Sequence, residues 1–173
     1  MGSIGKLGPT RRAVTLLVIL ILISGAGYAY WDRVHRVVQP IQFNHRKHVA
    51  QMECAGCHVY FSEGPHSGLP DANICNACHA DALTKSPEEA KLRQILQSGQ
   101  PLVFRKLFHI PTHVYYSHRR HVVLGKLECV QCHGKIAETE APPSKPLVTI
   151  SMKYCTQCHE RLKVNNDCKS CHR

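Results

Sequence analysis

The chain has 173 residues, enough for one domain and an anchor, with ten Cys and thirteen His but only eleven Phe, Trp or Tyr. So few aromatic side chains leave an ordinary core short of its bulkiest members, and so many Cys and His point to bound metal or a disulfide framework. The formal charge of +10 suits nucleic acid, an anionic surface or an acidic cofactor, while the lack of any repeating or dominant tract excludes collagen-like, mucin-like and coiled-coil chains.

Residues 1–12 carry Lys6, Arg11 and Arg12 and are expected to form a cytoplasmic N-terminus. Residues 13–31 are uncharged, rich in Leu, Ile and Val as far as Ile23, and end in Tyr28, Tyr30 and Trp31. Nineteen residues at helical rise span about 28 Å, close to the hydrocarbon thickness of a bilayer. The aromatic end suits a membrane interface, and positive residues before the helix predict export of the chain beyond it. A cleavable signal with Gly27 and Ala29 before the cut is the competing reading, but the apolar run exceeds a typical signal core. The expectation is a retained single-pass anchor in the inner (cytoplasmic) membrane, with residues 32–173 on the periplasmic side. Small residues at 24–27 suit either close approach of a partner helix or the interface itself. His35 lies next to that interface and reads as a surface group.

Beyond the anchor the first Cys-x-x-Cys-His is Cys54–Cys57–His58. It recurs as Cys75–Cys78–His79, Cys129–Cys132–His133, Cys155–Cys158–His159 and Cys168–Cys171–His172, leaving no Cys over. This is the attachment signature of c-type haem. Two thiols add to the porphyrin vinyl groups and the adjoining imidazole becomes the proximal iron ligand. Zinc would need two pairs per metal, and five pairs leave one over. Disulfides give no reason for a His after every pair. The expected cofactors are therefore five covalent haem c, with His58, His79, His133, His159 and His172 proximal.

Five haems explain the thin aromatic content, since porphyrin faces supply buried apolar area. They also explain the charge. Nineteen of the 22 Lys and Arg follow the anchor, against all 12 Asp and Glu, and the excess offsets haem propionates rather than nucleic acid. The predicted fold class is a multihaem cytochrome c, mostly α and irregular, with a haem-filled core, little regular structure and one N-terminal transmembrane helix. Within the pentahaem domain 32–173, residues 41–80 form a two-haem unit, 81–112 a spacer, 113–160 a second two-haem unit, and 161–173 carry the fifth haem.

The two-haem units are an internal repeat. Phe43 to His58 and Tyr115 to His133 both read aromatic-x-His-x-x-His-Val, a connector, then Glu-Cys-x-x-Cys-His, with two more connector residues in the second. Two imidazoles three residues apart project from one turn and can reach two neighbouring irons. Hence His45, His48, His118 and His121 are the expected distal ligands; a solvated basic turn is the alternative, since Arg46, Lys47, Arg119 and Arg120 lie between them. A fifth distal ligand is needed. Met152 and His109 are equal candidates, His66 stands behind them, and His113 reads as a spare surface imidazole.

In the spacer, Ser86 fits an N-cap, Pro87 the first helical position and Glu89 a capping box, with Leu92, Ile95 and Leu96 at helical spacing until Gly99. Residues 102–110 read as a strap over haems, a docking surface or ordinary core packing, the last favoured. Residues 141–146 (APPSKP) are a Pro-rich loop.

The pattern F-x-H-x-x-H followed by C-x-x-C-H resembles the small multihaem cytochromes of the c3 and c7 kind. A longer match runs through Pro65 to Pro70 (PHSGLP), ICNACH, the spacer helix, LFHIPTHVYYSHRRHV, ECVQCHG and SMKYCTQCH. Over about residues 40–162 it resembles the membrane-anchored pentahaem subunit of alternative complex III, a bacterial quinol oxidase module. The attachment motifs are generic; the spacer, His109-Ile110-Pro111 and the Ser-Met-x-x-Cys string are more specific. The resemblance implies an electron-transfer subunit, a haem wire fed by quinol-oxidising partners. Those partners are an iron–sulfur/molybdopterin-like subunit and polytopic quinol-binding membrane subunits, with a soluble cytochrome c or terminal oxidase as acceptor. Family members often carry an acidic residue where His113 stands. A related hexahaem subunit serves a menaquinone reductase with the reverse electron flow, and five motifs rather than six favour the first family.

An anchored tetrahaem quinol dehydrogenase, oxidising quinol directly, is the alternative. Those proteins place Met two residues after an attachment His, where this chain has Tyr60, Asp81, Lys135 and Arg161. A reductase with an open iron is disfavoured because every motif ends in His and distal candidates outnumber irons. No catalytic residue is expected.

Overall fold

The computed structural model describes residues 8–172; Lys6 lies outside them. The chain divides into two units, Met1–Arg36 and Val37–Arg173.

In the first unit, helix α1 spans Pro9–Val34. Gly8 precedes it and Pro9 opens it, where a missing N–H costs nothing. The apolar stretch from Ala13 carries it onward, and His35 closes the last turn with its N–H on the Trp31 carbonyl. The helix therefore runs beyond the uncharged stretch at both ends. Its 26 residues, with mean hydropathy 2.1, span about 39 Å. None of its side chains is buried within the chain. It is a candidate membrane anchor by length and composition.

The second unit contains α2 (His45–Val49), α3 (Ala72–His79), α4 (Pro87–Ser98), α5 (Cys129–His133), α6 (Met152–Leu162) and α7 (Cys168–Cys171). It also holds 3-10 turns at Cys54–Gly56 and Ile136–Glu138 and a π-helical turn at Arg119–Leu124. Among the described residues there is no strand, only one antiparallel bridge between Val114 and His172. The unit is mostly helical and irregular, as its composition predicted. Its buried apolar residues are Ile41, Leu92 and Leu102, ringed by half-buried Phe43, Ala72, Cys75, Ile95, Leu96 and Phe104. No side chain is completely buried among the described residues.

Helix α4 begins and ends where the sequence places it, with Pro87 in the first turn and Gly99 in the left-handed conformation at φ 66°. Its N-terminus departs from expectation. Ser86 makes no side-chain cap, and Glu89 does not reach back to the Ser86 N–H. The Thr84 hydroxyl oxygen accepts that N–H at 3.1 Å, which leaves the Glu89 carboxylate free to turn inward. The strap after α4 is part core and part cover. Leu102 is buried and Phe104 packs against the same cluster, while Phe108 sits edge-on to His133 at 4.6 Å. Two reciprocal hydrogen bonds between Gln39 and the Arg105 backbone, 2.8 and 2.9 Å, tie the strap to the chain before α2.

Candidate haem centres

Each Cys-x-x-Cys-His forms about one helical turn. Asp71 caps α3 through the Asn73 and Ile74 N–H groups, and Ser151 caps α6 through Tyr154. In the first and fifth motifs the His N–H bonds the carbonyl of the first Cys at 2.9 Å, His58 to Cys54 and His172 to Cys168. One turn places both thiols and the imidazole on one side, as covalent attachment of a flat group requires. None of the ten cysteines is paired in a disulfide, and all are exposed or half-buried.

The repeat survives in three dimensions. Phe43 stacks on His48 at 4.2 Å and meets His45 edge-on at 4.8 Å; Tyr116 stacks on His121 at 4.8 Å and meets His118 edge-on at 5.0 Å. His48 Nδ1 bonds the Asn44 carbonyl and His121 Nδ1 bonds the Ser117 carbonyl, each four residues back. The second copy, with its two extra connector residues, differs from the first in winding into the π-helical turn Arg119–Leu124. That turn ends at Gly125, where a Cβ would lie 2.7 Å from the His121 carbonyl oxygen.

Ring pairs link the motifs to the distal candidates. His48 faces His79 at 6.1 Å between centroids, His118 faces His133 at 6.3 Å, and His121 faces His159 at 6.2 Å. Two imidazoles binding one metal ion from opposite sides, with bonds of about 2.0 Å, hold their centroids about 6 Å apart. His45 neighbours His58: burial first, then His58 and His48, pushes its pKa down. Burial also lowers His118 and His133, favouring the neutral imidazole that can ligate.

The fifth motif has a partner that sequence reasoning set aside. His113 lies nearly parallel to His172, 5.6 Å away at 13°. The Val114–His172 bridge and a 2.7 Å bond from the Tyr115 N–H to the Cys171 carbonyl hold the two segments together. The three candidates for this role lie otherwise. Met152 is 71% exposed at the start of α6. His109 is exposed and turns its Nε2 to the Lys106 carbonyl. His66 is exposed beside His118.

Hydrogen bonds fix the tautomer of seven of the candidate ligand rings. A carbonyl oxygen only accepts, so Nδ1 carries the proton and Nε2 keeps its lone pair. This holds for His48 and His121, for His58 on Gly68, His118 on Pro65 and His159 on Asn165. The Thr139 hydroxyl donates to Ile136, so it accepts from His45 Nδ1. His79 Nδ1 bonds the Glu89 carboxylate at 3.1 Å. Every one of these rings thus leaves the Nε2 lone pair available to a metal, with an Nδ1 contact of the kind that orients metal-ligating His.

Gly68 is needed twice. Its φ is +76°, and a Cβ there would lie 2.6 Å from the Tyr60 ring. Gly68→Ala is expected to cost about 1–2 kcal/mol and to loosen the carbonyl that holds His58. A lowered thermal midpoint together with a change at one haem signal checks this.

The thiols order the motifs. Burial raises the Cys57 and Cys75 pKa values, with thiols of the neighbouring motif adding to the effect. Cys129 is raised by burial and by Cys54, with which it is hydrogen-bonded. Cys132 is raised by burial and then by Cys158 and Cys155, and Cys155 by burial and then by Cys171. The motifs therefore lie in the spatial order second, first, third, fourth, fifth. Tyr116, pushed up to about 12 by burial and by Cys132, Cys155 and Cys129, lies between the third and fourth.

Two further observations fit haem. Among the described residues no three His, Cys, Asp or Glu side chains converge as a metal cage. The side chains come together as pairs of imidazoles, the arrangement that two axial haem ligands require. The Arg93 Nε is buried without a partner beside the second motif, where the same guanidinium reaches the Ala80 carbonyl. A propionate would satisfy it.

Residues 114–173 match the model for cytochrome c7 and related cytochrome c, and residues 30–103 match the class III cytochrome C family. The menaquinone reductase multihaem cytochrome c subunit of Nitratidesulfovibrio vulgaris is 31% identical over 156 residues, covering 77% of this chain and 74% of that protein. The chain belongs to the multihaem cytochrome c family. Its cofactor is covalently bound haem c, and the two family matches each contain one copy of the internal repeat. As a multihaem cytochrome c it serves electron transport.

Proposed function

We propose that this multihaem cytochrome c is the electron-transfer subunit of a membrane-bound menaquinone oxidoreductase complex. The observation that carries the proposal is the set of imidazole pairs across the attachment motifs. Five haem c are proposed, one per Cys pair, with His58, His79, His133, His159 and His172 proximal. The distal ligands are His45, His48, His118, His121 and, in place of Met152, His109 or His66, His113. When bound, haem c supplies a one-electron iron couple.

The chain's own residues do the rest. The carbonyls of Asn44, Gly68, Pro65, Ser117 and Asn165 hold the imidazoles in one tautomer and one orientation. Phe43 and Tyr116 brace the two His-x-x-His turns. Two protein imidazoles per site leave no open face for a substrate, so the chain carries electrons rather than transforming a molecule. Helix α1 by itself offers no converging walls for a quinone head group. The quinone site therefore belongs to polytopic membrane partners, alongside an iron–sulfur/molybdopterin-like subunit. The proposed location is the cytoplasmic membrane with the haem domain on the periplasmic side.

Two directions of flow each have an observation behind them. The relative's function favours electrons running to menaquinone. The count of five motifs favours a quinol-oxidising assembly of the alternative complex III type, delivering to a cytochrome c or terminal oxidase. Native purification followed by mixing with menaquinol or menaquinone separates them. Reduced intact complex should reduce menaquinone rapidly in the first case; oxidised complex should be reduced by menaquinol and deliver to an acceptor in the second. The partner-free chain in detergent should exchange electrons with neither at a significant steady rate. Fast, inhibitor-sensitive reduction of the isolated chain by menaquinol would replace both readings with direct quinol oxidation.

A further inference from the structure

The seven Nδ1 bonds of the candidate ligand rings are not equivalent. Six end on neutral acceptors, five backbone carbonyls and the Thr139 hydroxyl. The seventh, from His79, ends on the Glu89 carboxylate. Glu89 is 8% exposed, the one buried charged residue among those described. Its Oε1 also accepts the Leu83 N–H at 2.7 Å, and its Oε2 accepts the Thr84 N–H at 2.8 Å and the Thr84 hydroxyl. Its one ion-pair partner among the described residues is His79.

We infer that Glu89 is a positioning residue that lowers the reduction potential of the haem held by Cys75, Cys78 and His79, making that end of the motif row its low-potential end. The inference rests on the proposed ligation of that site by His79 and His48, and goes beyond it.

A carboxylate accepting Nδ1–H draws the proton away from the ring and makes Nε2 more basic. A more basic axial ligand stabilises ferric iron over ferrous iron. Neutral carbonyls do the same far more weakly. Four donors converge on the two oxygens, His79 Nδ1–H and the Leu83 N–H on Oε1 and the Thr84 N–H and hydroxyl on Oε2, and such a donor set favours the charged carboxylate. Position gives the effect its meaning. The second motif stands at one end of the spatial row, next to the first, and His79 faces His48 of the turn that precedes the first motif at 6.1 Å. A low potential there separates that terminus from the interior sites, as a graded chain of carriers requires.

Glu89→Gln tests the charge separately from the shape. The amide keeps the shape but has one acceptor oxygen in place of two, for either the Oε1 donors His79 and Leu83 or the Thr84 donors on Oε2, so a merely structural Glu89 predicts a lowered thermal midpoint with unchanged potentials. Spectroelectrochemical titration of the full chain in detergent should instead show one of the midpoints rising, with the others in place. His48→Ala, titrated in parallel, marks the same site by converting one haem to high spin. The shifted midpoint should belong to the haem that His48→Ala alters. If His48→Ala creates a high-spin haem but Glu89→Gln moves no midpoint, or lowers one, Glu89 does not tune the site and the ligation stands. If His48→Ala leaves every haem low spin, the ligation fails and the inference with it.

Discussion

Full-length chain produced without haem attachment is expected to show no cooperative unfolding transition. The holoprotein should melt sharply and resist protease. The reason lies in what residues 37–173 bury. Among the described residues Ile41, Leu92 and Leu102 are the buried apolar side chains, none of them completely enclosed. Large apolar groups including Val59, Leu69, Val103, Val130 and Leu147 face outward. Fixing the backbone of so long a segment costs far more conformational entropy than three such side chains offset. The stabilising area must come from the cofactor planes, so folding and haem attachment are coupled as metal and fold are in small metallo-domains. Circular dichroism melting and limited proteolysis of the haem-free chain measure this. A sharp transition with protease resistance would mean that the polypeptide has a core of its own. Residual order, if any, belongs at the α3–α4 cluster, where the three buried residues meet.

What the sequence made legible was whatever covalent chemistry or duplication had stamped into it. Thioether attachment demands two thiols and a His at fixed spacing, so the family was readable from the five motifs alone. The His-x-x-His turns were readable because they occur twice, and their shared geometry extends to the aromatic residue two positions before the first His. His113 had neither mark. It stands alone, one residue before the matched c7 segment begins, and its partner His172 is brought to it by an irregular backbone bridge that no periodicity encodes. A count could have found it: residues 114–173 hold three attachment motifs but only His118 and His121 besides their own His. On the proposed all-imidazole ligation the third distal ring comes from outside, and His113 is the adjacent one. Glu89 was misread for a different reason. Ser-Pro-Glu-Glu is sound local grammar for a capping box, but Thr84 took the Ser86 N–H and a tertiary partner, His79, took the carboxylate. Local rules lose where a buried imidazole needs an acceptor.

Single replacements of the paired histidines should each convert one haem from low to high spin and leave the others unchanged. The argument is that an iron deprived of one of two strong-field imidazoles loses the ligand field that keeps it low spin. His118→Ala should act at the third site, His121→Ala at the fourth and His113→Ala at the fifth, following the ring pairs with His133, His159 and His172. His118 and His121 share one turn, so each variant also tests whether its neighbour holds; the separate Nδ1 anchors on Pro65 and Ser117 predict that it does. The decisive comparison is at the fifth site. His113→Ala should create a high-spin signal, while Met152→Leu and His109→Ala should keep every haem low spin, because Met152 faces solvent and His109 spends its Nε2 on Lys106. Electron paramagnetic resonance of the oxidised full-length protein reads each outcome directly. A high-spin signal from Met152→Leu with none from His113→Ala would move the fifth ligand to the sulfur, and would predict a markedly higher potential for that haem.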